Sequence, residues 1–115
     1  MEIKENVIVA LTFKFALEII SYCDTLQENR KFVIANQLLK SGTSIGANIR
    51  EAQNAESKAD FIHKFKISAK EIEETIYWLE LCKYSKDYPN VDQLLDQVNT
   101  ISRVVNKIII TSKQK

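Results

Sequence analysis

The chain has 115 residues, 45% of them hydrophobic and 27% charged, with a net charge of +1. That length supports one hydrophobic core and not two, so residues 1–115 read as a single domain. The near-neutral balance excludes a strongly basic nucleic-acid module. Two Gly and one Pro in the whole chain leave few turn or strand punctuators, which argues for long helices joined by short connections. No apolar run approaches the roughly 18 residues needed to cross a bilayer. The opening MEIKENVIV lacks the basic start, apolar centre and small-residue cleavage site of a secretory signal, so a cytoplasmic location is expected.

The first predicted helix runs from Glu5 to Gln27. Ile8, Leu11, Phe15, Ile19, Cys23 and Leu26 recur at three- and four-residue steps as its core stripe. Phe13, Ala16, Ile20 and Tyr22 are expected to widen that stripe. Glu2 and Glu5 stand near the start, where the helix dipole favours anions, and Glu28-Asn29 reads as the turn.

The second helix is predicted over Lys31–Gln53 and crosses Ser41-Gly42-Thr43-Ser44, which on propensity alone would pass for a loop. Phase decides for the helix. Leu38, Ile45 and Ala52 are seven apart with Ile49 between the last two, and a loop would have no reason to preserve that register. Gly42 and Gly46, four apart, fall on one face and let another backbone come close. Lys40, the glycines and the hydroxyls contain the ingredients of a phosphate cradle, but their order is not GxxxxGK[ST] and no strand precedes them. Asn48 reads either as a hydrogen bond across a helix interface or as a polar residue at the edge of the seam. For Glu51 a Lys or Arg partner is expected but not identified.

Asn54-Ala55-Glu56 is the next turn, and Ser57 with Asp60 has the spacing of a capping box. The third helix is predicted over Lys58–Tyr84, with Phe61, Phe65, Ser68, Ile72, Thr75, Leu79 and Cys82 as its seam. Ile62, Ala69 and Ile76 form a second seam beside it, so this helix touches two neighbours. Lys86–Asn90, with Pro89, is the clearest break. The fourth helix begins near Val91, carries Leu94, Leu95, Val98, Ile101, Val105, Ile108 and Ile109, and is expected to fray from Ser112 onward. Four such helices with short turns predict an all-α fold, an antiparallel up-down-up-down four-helix bundle.

No catalytic or metal-binding set emerges. Asp60 and His63 have the i, i+3 spacing of half a di-iron site, but the motif does not recur and the inward Glu residues are missing. With a single His and no CxxC, the buried-looking Cys23 and Cys82 do not suggest a zinc site. They read as buried thiols near one end of the bundle, close enough for contact. No GxSxG elbow places a nucleophile. The expectation is no enzyme and no cofactor. Tyr77 and Trp78 lie beside the third helix's seam, and Trp78 is open to three readings: peripheral packing, a subunit anchor or a base-stacking platform.

Charge is uneven along the expected bundle. One end gathers Lys4, Arg50, Lys58, Lys64, Lys66, Lys107, Lys113 and Lys115 against Glu2, Glu5, Glu51, Glu56 and Asp60. The other gathers Arg30, Lys31, Lys83 and Lys86 against six carboxylates. With Lys70 on the same stripe as His63 and Lys66, the nucleic-acid candidates are Arg50, Lys58, Lys64, Lys66 and Lys70. Gly42, Gly46, Asn48, Tyr77 and Trp78 are the candidates for helix packing or a subunit interface.

Three stretches, QLLKSGTSIGANIREA (Gln37–Ala52), SKADFIHKF (Ser57–Phe65) and ETIYWLEL (Glu74–Leu81), resemble the proteins encoded in intervening sequences of bacterial 23S ribosomal RNA genes. The resemblance spans nearly the whole chain. It implies an antiparallel four-helix bundle assembled as a homopentamer, in a family whose molecular function is not established. The chain is more distantly similar to the accessory variability determinant of diversity-generating retroelements, a pentameric bundle that binds a reverse transcriptase and nucleic acid. Arg50 stands where the family usually has Ala, and Lys40 where Arg is common. The expected function is a non-enzymatic oligomeric scaffold presenting a basic end to RNA, DNA or a ribonucleoprotein. The alternative is a purely structural or protein-interaction module.

Overall fold

The computed structural model describes residues 3–114, with side chains from Val7 onward. Glu2 and Lys115, and the side chains of Lys4 and Glu5, expected as charges at one end, lie outside the described residues. Four α-helices make up the chain: α1 Ile3–Glu28, α2 Phe32–Ala52, α3 Lys58–Tyr84 and α4 Asp92–Gln114. Helix α4 runs on to Gln114, so the fraying expected from Ser112 does not occur. No strand is present among the described residues.

Each neighbouring pair is antiparallel. Across α1 and α2, Ile19 meets Gly42 and Thr12 meets Gly46. Across α2 and α3, the Ser68 hydroxyl donates to the Ile45 carbonyl (3.0 Å), and the Ser41 and Thr75 hydroxyls share a hydrogen bond of 3.0 Å. Between α3 and α4, Lys83 pairs with Asp92 at 3.3 Å and Lys66 lies beside Lys113. Between α1 and α4, Gln97 donates to Glu18 at 2.7 Å, and Tyr22 donates to the Pro89 carbonyl at 2.8 Å. In every pair one number rises as the other falls. No Cα–Cα approach within 8 Å joins α1 to α3 or α2 to α4 among the described residues. The helices therefore stand at the corners of a square in chain order, giving a rod of 47 × 20 × 20 Å.

Helix α2 passes through Ser41–Ser44 without interruption. Its hydroxyls fold back onto the helix: Thr43 donates to the Leu39 carbonyl (2.7 Å) and Ser44 to the Lys40 carbonyl (2.6 Å). Polar groups that would favour a loop are thus satisfied inside a helix. Buried Ala35, Leu38, Ser41, Gly42, Ile45, Ile49 and Ala52 make its inner face, which is the predicted phase. Ser57 caps α3 by accepting the Asp60 N–H at 3.0 Å, while the Asp60 carboxylate takes the Glu56 N–H at 3.1 Å. The reciprocal bond reaches one residue further back than in a standard capping box.

The first turn differs from its predicted position by one residue. Helix α1 ends in a Schellman motif, with Lys31 N–H on the Leu26 carbonyl (2.8 Å) and Arg30 N–H on the Gln27 carbonyl (2.9 Å). Arg30 takes the left-handed conformation, φ 64°, that this motif requires. On α1 the stripe also differs. Leu11 is only half-buried and Thr12 is in the core, its hydroxyl returned to the Ile8 carbonyl at 2.9 Å. Phe13 and Ile20, expected to widen the inner stripe, are instead 51% and 41% exposed.

Candidate interaction surfaces

Small residues on α2 bring α1 close enough that the seam between them has little side-chain filling on its outer edge. A groove of about 280 Å³ opens there, walled by Val9, Phe13 and Ala16 of α1 and by Thr43, Ala47 and Arg50 of α2, over a floor of Thr12 and Gly46. The Thr12 and Thr43 hydroxyls are committed to carbonyls of their own helices, so the trough presents methyl and methylene surface. One charge stands at its rim. The Arg50 guanidinium lies 5.5 Å from the Phe13 ring centroid, a cation–π distance that holds it over the groove.

The exposed apolar surface continues from Phe13 along α1 through Leu17 and Ile20, residues at i, i+4 and i+7 on one helix face. A second apolar stripe, Tyr77, Leu81 and Tyr84, runs along the outside of α3. Trp78 is half-buried against the core beside it, its indole N–H donating to Glu74 Oε2 at 3.2 Å and its ring set edge-on to Tyr77 at 5.1 Å. Of the packing and interface candidates, Gly42 and Gly46 line the α1 contact, and Tyr77 and Trp78 sit on α3's outer side. Asn48 turns back to the Ser44 carbonyl at 2.9 Å and makes no hydrogen bond to a neighbouring helix among the described residues.

Arg50, Lys58, Lys64 and Lys66 lie toward one end of the rod, Lys70 stands midway along α3 (Lys58–Tyr84), and the five do not share a surface. Lys64 is paired with Glu51 at 3.0 Å, which supplies the partner Glu51 was expected to have. Arg50 belongs to the α1–α2 groove. Lys58, Lys66 and Lys70 are exposed, and no carboxylate lies within ion-pair distance of them among the described residues. Lys66 has a neighbour of like sign across the α3–α4 seam: its ammonium holds the Lys113 pKa below the usual lysine value. The remaining positive character is therefore a small patch on α3 and α4.

At the opposite end, Tyr22 of α1 reaches the loop between α3 and α4 through its bond to Pro89, and Lys31 lies over the Tyr88 ring at 4.9 Å. Cys23 and Cys82 are buried nearby as free thiols. Burial, and then proximity to Cys82, pushes the Cys23 thiol up to about 12; burial also raises Cys82. The two thiols come from diagonal helices whose Cα atoms stay more than 8 Å apart. A disulfide needs roughly 4.4–6.8 Å, so the contact cannot become a bond without moving backbone. Among the described residues no three His, Cys, Asp or Glu side chains gather as a metal site, and no helix is long and apolar enough to cross a membrane.

The bundle with its glycine-bearing α2 is matched by known proteins. Residues 4–107 match the family described as 23S rRNA-intervening sequence protein. The chain belongs to that family. A solved structure of similar shape is that of a protein with unknown function from the S23 ribosomal protein family, from Bacteroides thetaiotaomicron VPI-5482. It is 40% identical and superposes with a TM-score of 0.88 over 93% of this chain and 98% of that one. No curated protein matches the chain. Membership of the 23S rRNA-intervening sequence family thus carries a fold and no assigned activity.

Sequence reasoning missed the outward stripe Phe13–Leu17–Ile20. The signal was present, because these positions repeat at four and three residues on a different face from Ile8, Phe15 and Ile19. A helix apolar on more than one face can pack on more than one side, and the bundle covers the inner face of α1 while Phe13, Leu17 and Ile20 stay exposed.

Proposed function

We propose that the protein is a non-catalytic helical scaffold that works by assembling with copies of itself, the subunit number of five being implied by its family resemblance. The exposed stripes on α1 and α3 carry this reading. Phe13, Leu17 and Ile20 on one side and Tyr77, Leu81 and Tyr84 on another are all at the surface of the single chain. Contiguous apolar patches beyond a few hundred Å² are rare on monomers and mark interaction sites. Nothing in the groove supports chemistry: its hydroxyls are tied to carbonyls and it holds one cation without a base or nucleophile. Sedimentation equilibrium tests the reading. The scaffold should sediment at a multiple of 13.2 kDa, and a monomer at all concentrations would refute it.

A second reading, contact with a polyanion such as RNA, is favoured by one observation. Lys66 and Lys113 stand side by side, with Lys58 on the same end and Lys70 one turn further along α3, and no carboxylate is paired with any of them among the described residues. Two adjacent ammoniums lower their mutual repulsion by sharing a phosphate. Repetition around an assembly would strengthen a patch too small to act alone. Mobility-shift titration with structured RNA should show binding that weakens steeply with salt and is lost in Lys66→Glu/Lys113→Glu. No retention at low salt would refute this part while leaving the assembly intact.

A further inference from the structure

We infer that the groove between α1 and α2 receives the outer face of α3 from a second copy of this chain. The inference rests on the assembly reading above and deepens it, because it names two unlike surfaces that meet.

The receiving surface is apolar and basic. Phe13, Leu17 (52% exposed) and Ile20 form its ridge on α1, and Gly46 and Ala47 keep the α2 side low. A low floor beside a ridge admits another helix closely. Arg50 is fixed over Phe13, and no carboxylate pairs with it among the described residues. The inserting surface is apolar and acidic. Tyr77, Leu81 and Tyr84 (81% exposed) repeat at the same four- and three-residue spacing as the ridge. Glu73 and Glu74 stand one turn before Tyr77, and Glu80 one turn before Tyr84. Lys83, the cation next to Tyr84, lies 5.8 Å from that ring and is paired with Asp92 at 3.3 Å. Tyrosine is the residue type enriched in such contacts, because it buries a large ring while keeping a wet hydroxyl.

Charge selects the pairing. Groove against groove would face two Arg50 side chains, and stripe against stripe would face two sets of glutamates. Groove against stripe puts opposite signs together, which fixes both the partner and the register. The contact is therefore heterologous. Helices α1 and α3 occupy diagonal corners of the square, so the two surfaces lie on different sides of the rod. A copy docked on one leaves the other free, so assembly proceeds head-to-tail and stops where the rotation closes a ring.

Two variants and their mixture test this by sedimentation equilibrium, with far-UV circular dichroism as the check on folding. Leu17→Arg damages only the groove, and Tyr77→Arg/Tyr84→Arg damages only the stripe. The changed side chains are at least half exposed, and Ile20→Arg with Leu81→Arg serves as a second pair should either variant misfold. Each variant alone is expected to fall to 13.2 kDa. Their equimolar mixture should give a dimer of twice that mass, because one intact groove then meets one intact stripe. An oligomeric wild type whose mass neither variant changes would overturn this docking and leave the assembly reading standing. Monomeric variants that stay monomeric when mixed would do the same. A monomeric wild type would overturn both.

Discussion

Gly42 stands against Ile19 so closely that a β-carbon on it would lie 2.9 Å from Ile19 Cγ2 and 3.0 Å from Cγ1. Ile19 is fully buried and β-branched, so its rotamer is held by its own helix and cannot swing clear. The glycine costs α2 up to about 1 kcal/mol of helix propensity, and the approach of α1 offsets it.

Replacing Gly42 by Ala should therefore destabilise the fold by about 1–3 kcal/mol, the usual scale of core overpacking, despite the gain in propensity. Gly46 is looser, with Thr12 Oγ1 at 3.2 Å and the Thr12 carbonyl at 3.3 Å. Gly46→Ala should cost less than Gly42→Ala. Urea denaturation of the two variants checks the order, and Gly42→Ala more stable than wild type would contradict it.

The hydroxyls of Ser41 and Thr75 meet in the core at 3.0 Å, and Thr75 also donates to the Glu71 carbonyl at 2.7 Å. Thr75→Val keeps the shape but leaves Ser41 without that partner. It should cost about 1–2 kcal/mol. Ser41→Ala/Thr75→Val should cost less than the sum of the single changes, by about 0.5–1 kcal/mol, as expected for residues in contact. Strict additivity in a double-mutant cycle would show that the bond contributes nothing.

Much of the fold was legible because α2 and α4 each have a single phase, and α3 keeps a regular seam from Phe65 to Cys82 despite its other apolar residues. Leu38, Ile45, Ile49 and Ala52 kept register across Ser41–Ser44, and that outweighed the local preference for a loop. Helix α1 was less legible, because Leu11, Phe13, Leu17 and Ile20 are as apolar as the true seam, and hydropathy alone does not say which face turns inward. Thr12 was hidden for the opposite reason, as its hydroxyl is neutralised by the Ile8 carbonyl only once the helix exists. For the basic end, the sequence placed five cations near one another along the rod. It could not show that Glu51 would take Lys64, thirteen residues away, or that Arg50 would turn toward Phe13.

The thiols make a pH prediction. Cys23 moves from 9.0 unfolded to about 12 in the fold, and Cys82 also moves up. Between those values the unfolded chain has lost protons that the folded chain keeps, so the thiols' contribution to stability is fully present below 9.0 and is lost as pH rises toward about 12. Replacing both cysteines by Ala should flatten part of that slope in melts from pH 7 to 11. At pH 8 native Cys23 should react with iodoacetamide at least about 100-fold more slowly than in the denatured chain, and Cys82 should also be slowed, since the thiolate is the reactive form. Equal rates would show that the thiols are not enclosed.

Arg30 holds φ 64° at the end of α1, a conformation that costs a side chain with a β-carbon about 1–2 kcal/mol and glycine nothing. Arg30→Gly should be neutral to stabilising, by up to about 1 kcal/mol once the extra freedom of unfolded glycine is subtracted. A clear loss of stability in thermal melts would mean that the Arg30 side chain makes a contribution of its own.

The groove, its ridge and the placement of Arg50 all follow from α2 being one rod pressed against α1. Amide hydrogen exchange at Ser41–Gly46 measures this directly. The amides of this segment should exchange as slowly as those of Leu38 and Ile49, through global unfolding alone. Exchange at the rate of the Asn54–Glu56 turn would show a loop in the middle of α2 and contradict the account.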